Sequence, residues 1–308
     1  QVIDIDGNGT ADVAYAGDML GNLWKIDLSG TTPSAWKSYF PIGGGTPAPL
    51  FVARDSSNAR QPITTAPQWA THPDGGLMLA FGTGREMTTL VTTNSTQTLY
   101  AVRDNGTFNP SATPMMSGGT VISGGRTELV VQTLTSNITI NQQQFGKTSA
   151  NVVTYTGGSA KRGWYLEFPA LGERAVFNGG KLSDRLIYIR SRIPAVGNQN
   201  SSNEETCEPN ATAAEEFMTV LDIVGGAPPS TKVFDTDGGG FTGTEEAGVS
   251  RWKYGKEDRL LMRTGKPGEF ASISPQPPNN SNPNDPNRQT MGFNTNLRLV
   301  NVGWRQLQ

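Results

Sequence analysis

Residues 2–28 read VIDIDGNGTADVAYAGDMLGNLWKIDL. Two patterns meet in this stretch. Asp4, Asp6, Asn8, Thr10 and Asp12 occupy alternate positions, with Gly9 between the third and fourth. Then "VAYAG" and "NLWKIDL" form two alternating apolar runs joined by "DMLG". Period-two alternation on both sides of a Gly/Asp turn predicts a β-hairpin. The oxygen-rich loop stands ahead of it, and no full strand precedes that loop in the sequence.

The loop spacing carries chemistry. Calcium is a hard ion that takes six to eight oxygens at about 2.3–2.6 Å. With Asp4 as position 1, Asp6 is position 3, Asn8 is 5, Thr10 is 7 (through its carbonyl) and Asp12 is 9. Gly9 falls where an EF-hand loop places its turn glycine. Position 12 is Tyr15, so the bidentate glutamate of a true EF-hand is missing, and Asp12 would close the shell instead. Three carboxylates around a divalent cation leave a net charge of about −1, which suits Ca²⁺. Asp-Gly-Asn-Gly is also a turn signal by itself, so a metal-free turn is the competing reading.

The form of the first hairpin recurs. "LAFGTGREM…QTLYAVRD" repeats it with a longer connection, and "IYIRSRIP…EFMTVLDI" repeats it more loosely. Each second strand ends in aspartate: Asp27, Asp104 and Asp222. Short strands separated by Gly/Pro/Asn turns, with hairpins repeating, predict an all-β fold built of propeller blades, a sandwich being the alternative. Helix signal is confined to "NATAAEEFMTVLDI", where Ala211 to Glu216 could make a turn or two, but "EFMTVLDI" reads equally as a buried strand.

Composition narrows the function. The chain has 308 residues, a net charge of −2 and a pI near 5.6, so it presents no basic field for nucleic acid. No apolar run is long enough to span a membrane. Charged residues make up 17%, against roughly 25% in an average domain, while 37 glycines and 20 prolines favour strands and turns. Cys207 is the only cysteine and His72 the only histidine. An internal disulfide and any two-histidine zinc or acid–base site are therefore excluded within the chain. Gln1 is not a translational start, which suggests a mature segment or a piece of something longer.

A second acidic stretch, "FDTDGGGFTGTEEAG", places Asp235, Asp237, Phe241 and Glu246 at positions 1, 3, 7 and 12 of an EF-hand-like count. Gly239 and Gly243 leave two positions without side-chain oxygens, so this is the weaker calcium candidate, and a glycine-rich turn explains it equally well. The Pro/Asn-rich 274–289 and the stretch 196–210 around Cys207 read as long surface loops.

"DIDGNGTADVAYAGDMLGNLWKIDLSG" resembles the calcium loop and following blade of the PilY/PilC family, which acts at type IV pilus tips. "QPITTAPQWATHPDGGLMLAFGTGREM", "QTLYAVRDNG", "RGWYLEFPALGERAVFNGGKL", "EFMTVLDIVGGAP" and the terminal "GWRQLQ" match in the same order. The resemblance implies a modified β-propeller akin to quinoprotein dehydrogenases, here the C-terminal part (1–308) of one propeller domain. It would be an open arc of about four blades with long loop insertions, its upstream blades absent from this chain. It implies one Ca²⁺ held by Asp4, Asp6, Asn8, Thr10 and Asp12, and a non-enzymatic role in pilus biogenesis, retraction control, twitching motility and adhesion. It also implies export to the pilus tip or cell surface of a Gram-negative bacterium, outer-membrane association being left open. Expected partners are minor pilins or the tip complex, a host or abiotic surface, and the missing propeller half or another copy. The chain departs from the family at the weaker second loop and contains no Arg-Gly-Asp.

Kinship with quinoproteins raises an alternative: a quinone-dependent dehydrogenase-like enzyme. Such enzymes place a disulfide against the cofactor, which one cysteine cannot form. Trp24, Trp36, Trp69, Trp164, Trp252 and Trp304 read as blade core and turn packing, His72 as a turn residue, and Gly82 and Gly84 as turn glycines.

Overall fold

The computed structural model describes residues 1–86, 95–140, 143–194, 214–234, 248–256, 260–263, 269–273 and 288–292. Among these, strands dominate and no α-helix occurs; the helical segments are two 3-10 turns, Pro33–Ala35 and Gly125–Glu128. Of the helical reading over Ala211 to Glu216, residues 211–213 lie outside the described residues, and Glu215 and Glu216 open a strand, Glu215–Asp222, as the alternative reading of "EFMTVLDI" has it. Tertiary pairing decides this: the segment is hydrogen-bonded to a neighbour on each side, and Phe217 through Leu221 are buried in succession.

Three large sheets form in chain order. The first holds Val2–Ile3, Val13–Gly17, Asn22–Asp27, Lys37–Ser38 and Phe51–Val52. The second holds Val130–Gln132, Gly163–Glu167, Thr98–Asp104, Leu77–Gly82 and Gln68–Thr71, in that spatial order. The third is six-stranded and centres on Leu186–Ile193, Glu215–Asp222 and Val249–Lys256. A two-stranded and a three-stranded sheet are the others among the described residues. The strand Arg288–Gly292, the last among the described residues, takes over the end of the stretch read as a surface loop.

All three repeated hairpins form as the sequence indicates. Val13 pairs with Asp27, Leu77 with Asp104, and Leu186 with Asp222, each antiparallel. The aspartate at each strand end has one local job. Asp27, Asp104 and Asp222 accept the backbone N–H two residues on, from Ser29 (3.0 Å), Gly106 (2.9 Å) and Val224 (2.9 Å). That side-chain bond turns the chain out of the ladder, which is why the position takes a short acid. Asp18 does similar work at the first turn, accepting Leu20 N–H, Asn22 N–H and the Trp24 indole N–H at 2.8–2.9 Å.

The sheets stack face to face, as blades do. Leu79, Phe81, Tyr100 and Val102 of the second sheet meet Val13, Tyr15, Leu23 and Phe51 of the first. The alternate residues Met78, Ala80, Leu99 and Ala101 meet Ala175, Ile187 and Ile189 of the third. Met218, Val220, Phe234 and Trp252 fill a further layer beyond the third sheet. Burial on both faces explains the continuous apolar run "LMLAF". The large sheets stack in series and do not close into a ring among the described residues. Gly82 is not a turn residue: it ends a strand, and a Cβ there would lie 2.2 Å from the Ala175 Cβ. It lets the second and third sheets approach closely.

Candidate functional site

The acidic loop is the connection of a hairpin. Val2 pairs with Ala14 and Ile3 with Val13, so a short strand does stand upstream of the loop, contrary to the reading that this strand is missing. Asp12 is tied into the sheet by its backbone: its N–H donates to Ile3 O and its carbonyl accepts Leu28 N–H, both at 2.9 Å. Its side chain turns back into the loop, where Oδ2 accepts Ile5 N–H at 2.6 Å.

Asp4, Asp6 and Asp12 each bring a carboxylate oxygen to within 4.8 Å of the others. Two oxygens on opposite sides of a calcium at about 2.4 Å stand about 4.8 Å apart, so this spread fits within one coordination shell. Asp4 and Asp6 are exposed, whereas Asp12 is buried. Burial, opposed by its hydrogen bond from Ile5 and aided by the charges of Asp6 and Asp4, raises the Asp12 carboxyl above its ordinary range. Asn8 and Thr10 lie on the exposed outer turn, where Asn8 Oδ1 accepts Thr10 N–H at 2.7 Å and Asn8 Nδ2 donates to Asp6 Oδ2 at 2.9 Å. Gly9 takes φ +91°, the left-handed turn its position requires.

The loop accepts hydrogen bonds besides: Asp4 takes N–H groups from Gly7 (2.7 Å) and Gly9 (2.8 Å). The donor set of three carboxylates, the Asn8 amide oxygen and the Thr10 carbonyl is all oxygen, the chemistry a hard divalent ion requires. The second candidate, Asp235, Asp237, Phe241 and Glu246, lies outside the described residues, as do Cys207, Trp304 and the stretch 196–210.

His72 sits in the turn after Gln68–Thr71, but it is buried rather than on the surface. Its Nδ1 accepts Asp74 N–H at 3.0 Å, its ring meets Tyr155 edge-on at 4.2 Å, and its buried Nε2 has no hydrogen-bond partner among the described residues. Among the described residues the ring's contacts are with Tyr155 and the Asp74 backbone. Of the tryptophans, Trp164 and Trp252 are fully buried blade core, while Trp36 is 49% exposed.

One group escaped the sequence reading: Lys25, fully buried inside the alternating "NLWKID". It stands opposite Tyr15 in the hairpin, and both reach Asp104 of the second sheet. Lys25 shares its strand phase with Asp27, so the sequence alternation carried no signal of its burial.

Stacked antiparallel blades with an oxygen-lined hairpin loop at the first define a β-propeller type of protein. Residues 1–144 match the family model described as the PilY1 beta-propeller domain. The type IV pilus biogenesis factor PilY1 homolog of Xylella fastidiosa is 27% identical over 283 residues, covering 89% of this chain and 16% of that protein. The type IV pilus biogenesis factor PilY1 of Pseudomonas aeruginosa is 27% identical over 287 residues, covering 87% of this chain and 23% of that protein. The crystal structure of the Pseudomonas aeruginosa PilY1 C-terminal domain superposes with a TM-score of 0.67 at 22% identity, over 96% of this chain and 60% of that one. Residues 1–144 are thus similar to the PilY1 beta-propeller domain, and the chain shares the fold of the Pseudomonas aeruginosa PilY1 C-terminal domain. It spans less than a quarter of the length of these curated relatives.

Proposed function

We propose that this chain is a calcium-binding, non-enzymatic propeller segment of a type IV pilus factor, serving pilus biogenesis, retraction control and surface adhesion at the pilus tip or cell surface. The observation that carries the reading is the convergence of Asp4, Asp6 and Asp12 in a hairpin loop of a PilY1-like first sheet. Asp4, Asp6 and Asp12 would hold the ion, with Asn8 and Thr10 supplying further oxygens. A bound calcium supplies charge neutralisation, drawing together carboxylates that otherwise repel.

The chain's own residues then do the mechanical work. Asp12 is anchored at both backbone groups to neighbouring strands, so ordering the loop orders the edge of the first sheet. Its partners would be minor pilins or the tip complex, together with a host or abiotic surface, met through loops as in other binding propellers.

The test has two arms. Melting of the purified chain should rise with calcium and fall with chelator; indifference to both removes calcium from the reading. In cells, the full-length protein carrying Asp12→Ala should be made at normal level yet change pilus number or twitching, and unchanged pili would remove the loop from pilus control.

A further inference from the structure

Lys25, Tyr15 and Asp104 form a closed cluster between the first and second sheets, and all three are fully buried. Lys25 Nζ lies 2.8 Å from Asp104 Oδ2, so the buried amine and the buried carboxylate are held in direct contact. The Tyr15 hydroxyl donates to the same Oδ2 at 2.5 Å. Gly106 N–H donates to the other oxygen, Oδ1, at 2.9 Å. Aromatic rings surround the amine, with Tyr39 at 3.8 Å and Phe108 at 4.7 Å from Nζ to ring centre.

These surroundings favour reaction over simple pairing. Burial lowers the Lys25 pKa, outweighing the opposing pull of Asp104. A desolvated lysine becomes a nucleophile because more of it carries a free electron pair. The buried Arg251–Glu173 pair of the third sheet provides contrast. Arg251 donates to Glu173 Oε2 at 2.7 Å and to Thr219 Oγ1 at 3.1 Å, and a guanidinium stays protonated.

We propose that Lys25 and Asp104 join in an intramolecular isopeptide bond that staples the first sheet covalently to the second. Nζ attacks the Asp104 Cγ, forming the C–N bond, and the Cγ–Oδ2 bond breaks. The two protons given up by the ammonium end on Oδ2, which leaves as water. The Tyr15 hydroxyl, placed on that oxygen, relays a proton and returns to its starting state. Oδ1 remains as the amide carbonyl, steadied throughout by Gly106 N–H. Carboxylate and ammonium become amide and water, so charge and atoms balance and no oxidant or reductant enters. The product also removes two buried charges. This inference stands apart from calcium and from the pilus, since it uses neither.

Intact-mass measurement of the purified chain, followed by peptide mapping, decides it. The expected mass falls short of the sequence by one water, with a branched peptide joining Lys25 to Asp104. Lys25→Arg, which keeps the buried cation, and Asp104→Ala should each restore the full mass. A natural chain at full mass overturns the proposal. So does a water deficit that maps elsewhere, as cyclisation at Asp6–Gly7 or Asp74–Gly75 would give.

Discussion

Trp164 of the second sheet donates its indole N–H to the carbonyl of Ile223, at the end of the third sheet's central strand, at 3.0 Å. The ring is fully buried among Met78, Leu99 and Leu221. One side chain thus fills the space between two sheets and fixes their separation. Trp164→Ala should cost about 3–5 kcal/mol by opening a cavity there. Trp164→Phe should cost less, although it leaves the Ile223 carbonyl without that donor. Urea denaturation of both variants measures the difference; equal losses would mean the ring's size is unimportant.

Gly82 and Ala175 make a close approach between these sheets, one with no room for a further Cβ. Gly82→Ala should destabilise by about 1–3 kcal/mol through overpacking. Ala175→Gly in the same chain should recover part of that loss, because it removes the atom the new methyl meets. A double-mutant cycle reads this coupling directly, and additive losses would contradict the contact.

His72 sets a pH dependence. Burial first, then the charge of Arg103, lowers its pKa from 6.5 to about 4, so the folded chain keeps the ring neutral. The unfolded chain takes up the proton below pH 6.5 while the folded chain does not. Stability from this group is therefore complete above 6.5, declines as pH falls toward 4, and levels off below. The loss should reach about 3 kcal/mol, at about 1.4 kcal/mol for each unit of the shift. His72→Asn keeps an acceptor for Asp74 N–H and should flatten the profile across that window, while lowering stability at neutral pH by losing the contact with Tyr155. An unchanged slope would assign the pH dependence to other groups.

Glu173 and Arg251 are buried partners, and Ser191 donates to the same carboxylate at 2.5 Å. Arg251→Met leaves Glu173 without its countercharge and should cost about 3–5 kcal/mol. Pairing it with Glu173→Gln should recover much of that loss, because the stranded charge is gone. Thermal melts of the single and double variants check the order.

Asp12 joins the candidate metal loop to the sheet. Free calcium at about 100 times the dissociation constant should add roughly 2.7 kcal/mol to stability. Asp12→Asn should abolish the calcium-dependent part, and calorimetric titration should show the binding heat disappear. Asp4→Asn, at an exposed site, should weaken binding less. Full binding by the Asp12 variant would place the ion elsewhere.

Local chemistry was legible in the residues themselves. The alternating runs around "DMLG", the aspartates at 27, 104 and 222, and the spacing from Asp4 to Asp12 each act over a few residues, through strand period and side-chain hydrogen bonds to nearby backbone. From these follow the three hairpins and the convergence of the loop carboxylates. The resemblance to PilY proteins came from the same segments. The short strand before the loop was missed because two residues carry too little period to register as one.

What tertiary structure decided involves partners distant in the chain. That Gly82 ends a packed strand depends on Ala175, and that "EEFMTVLD" is a strand depends on the two neighbours that pair with it. Lys25 looks like an ordinary polar interruption until Asp104, 79 residues on, closes over it in the stacked sheet. Sequence period assigns a residue to a face; only the assembled sheets determine what that face meets, because desolvation and charge pairing depend on what packs against it.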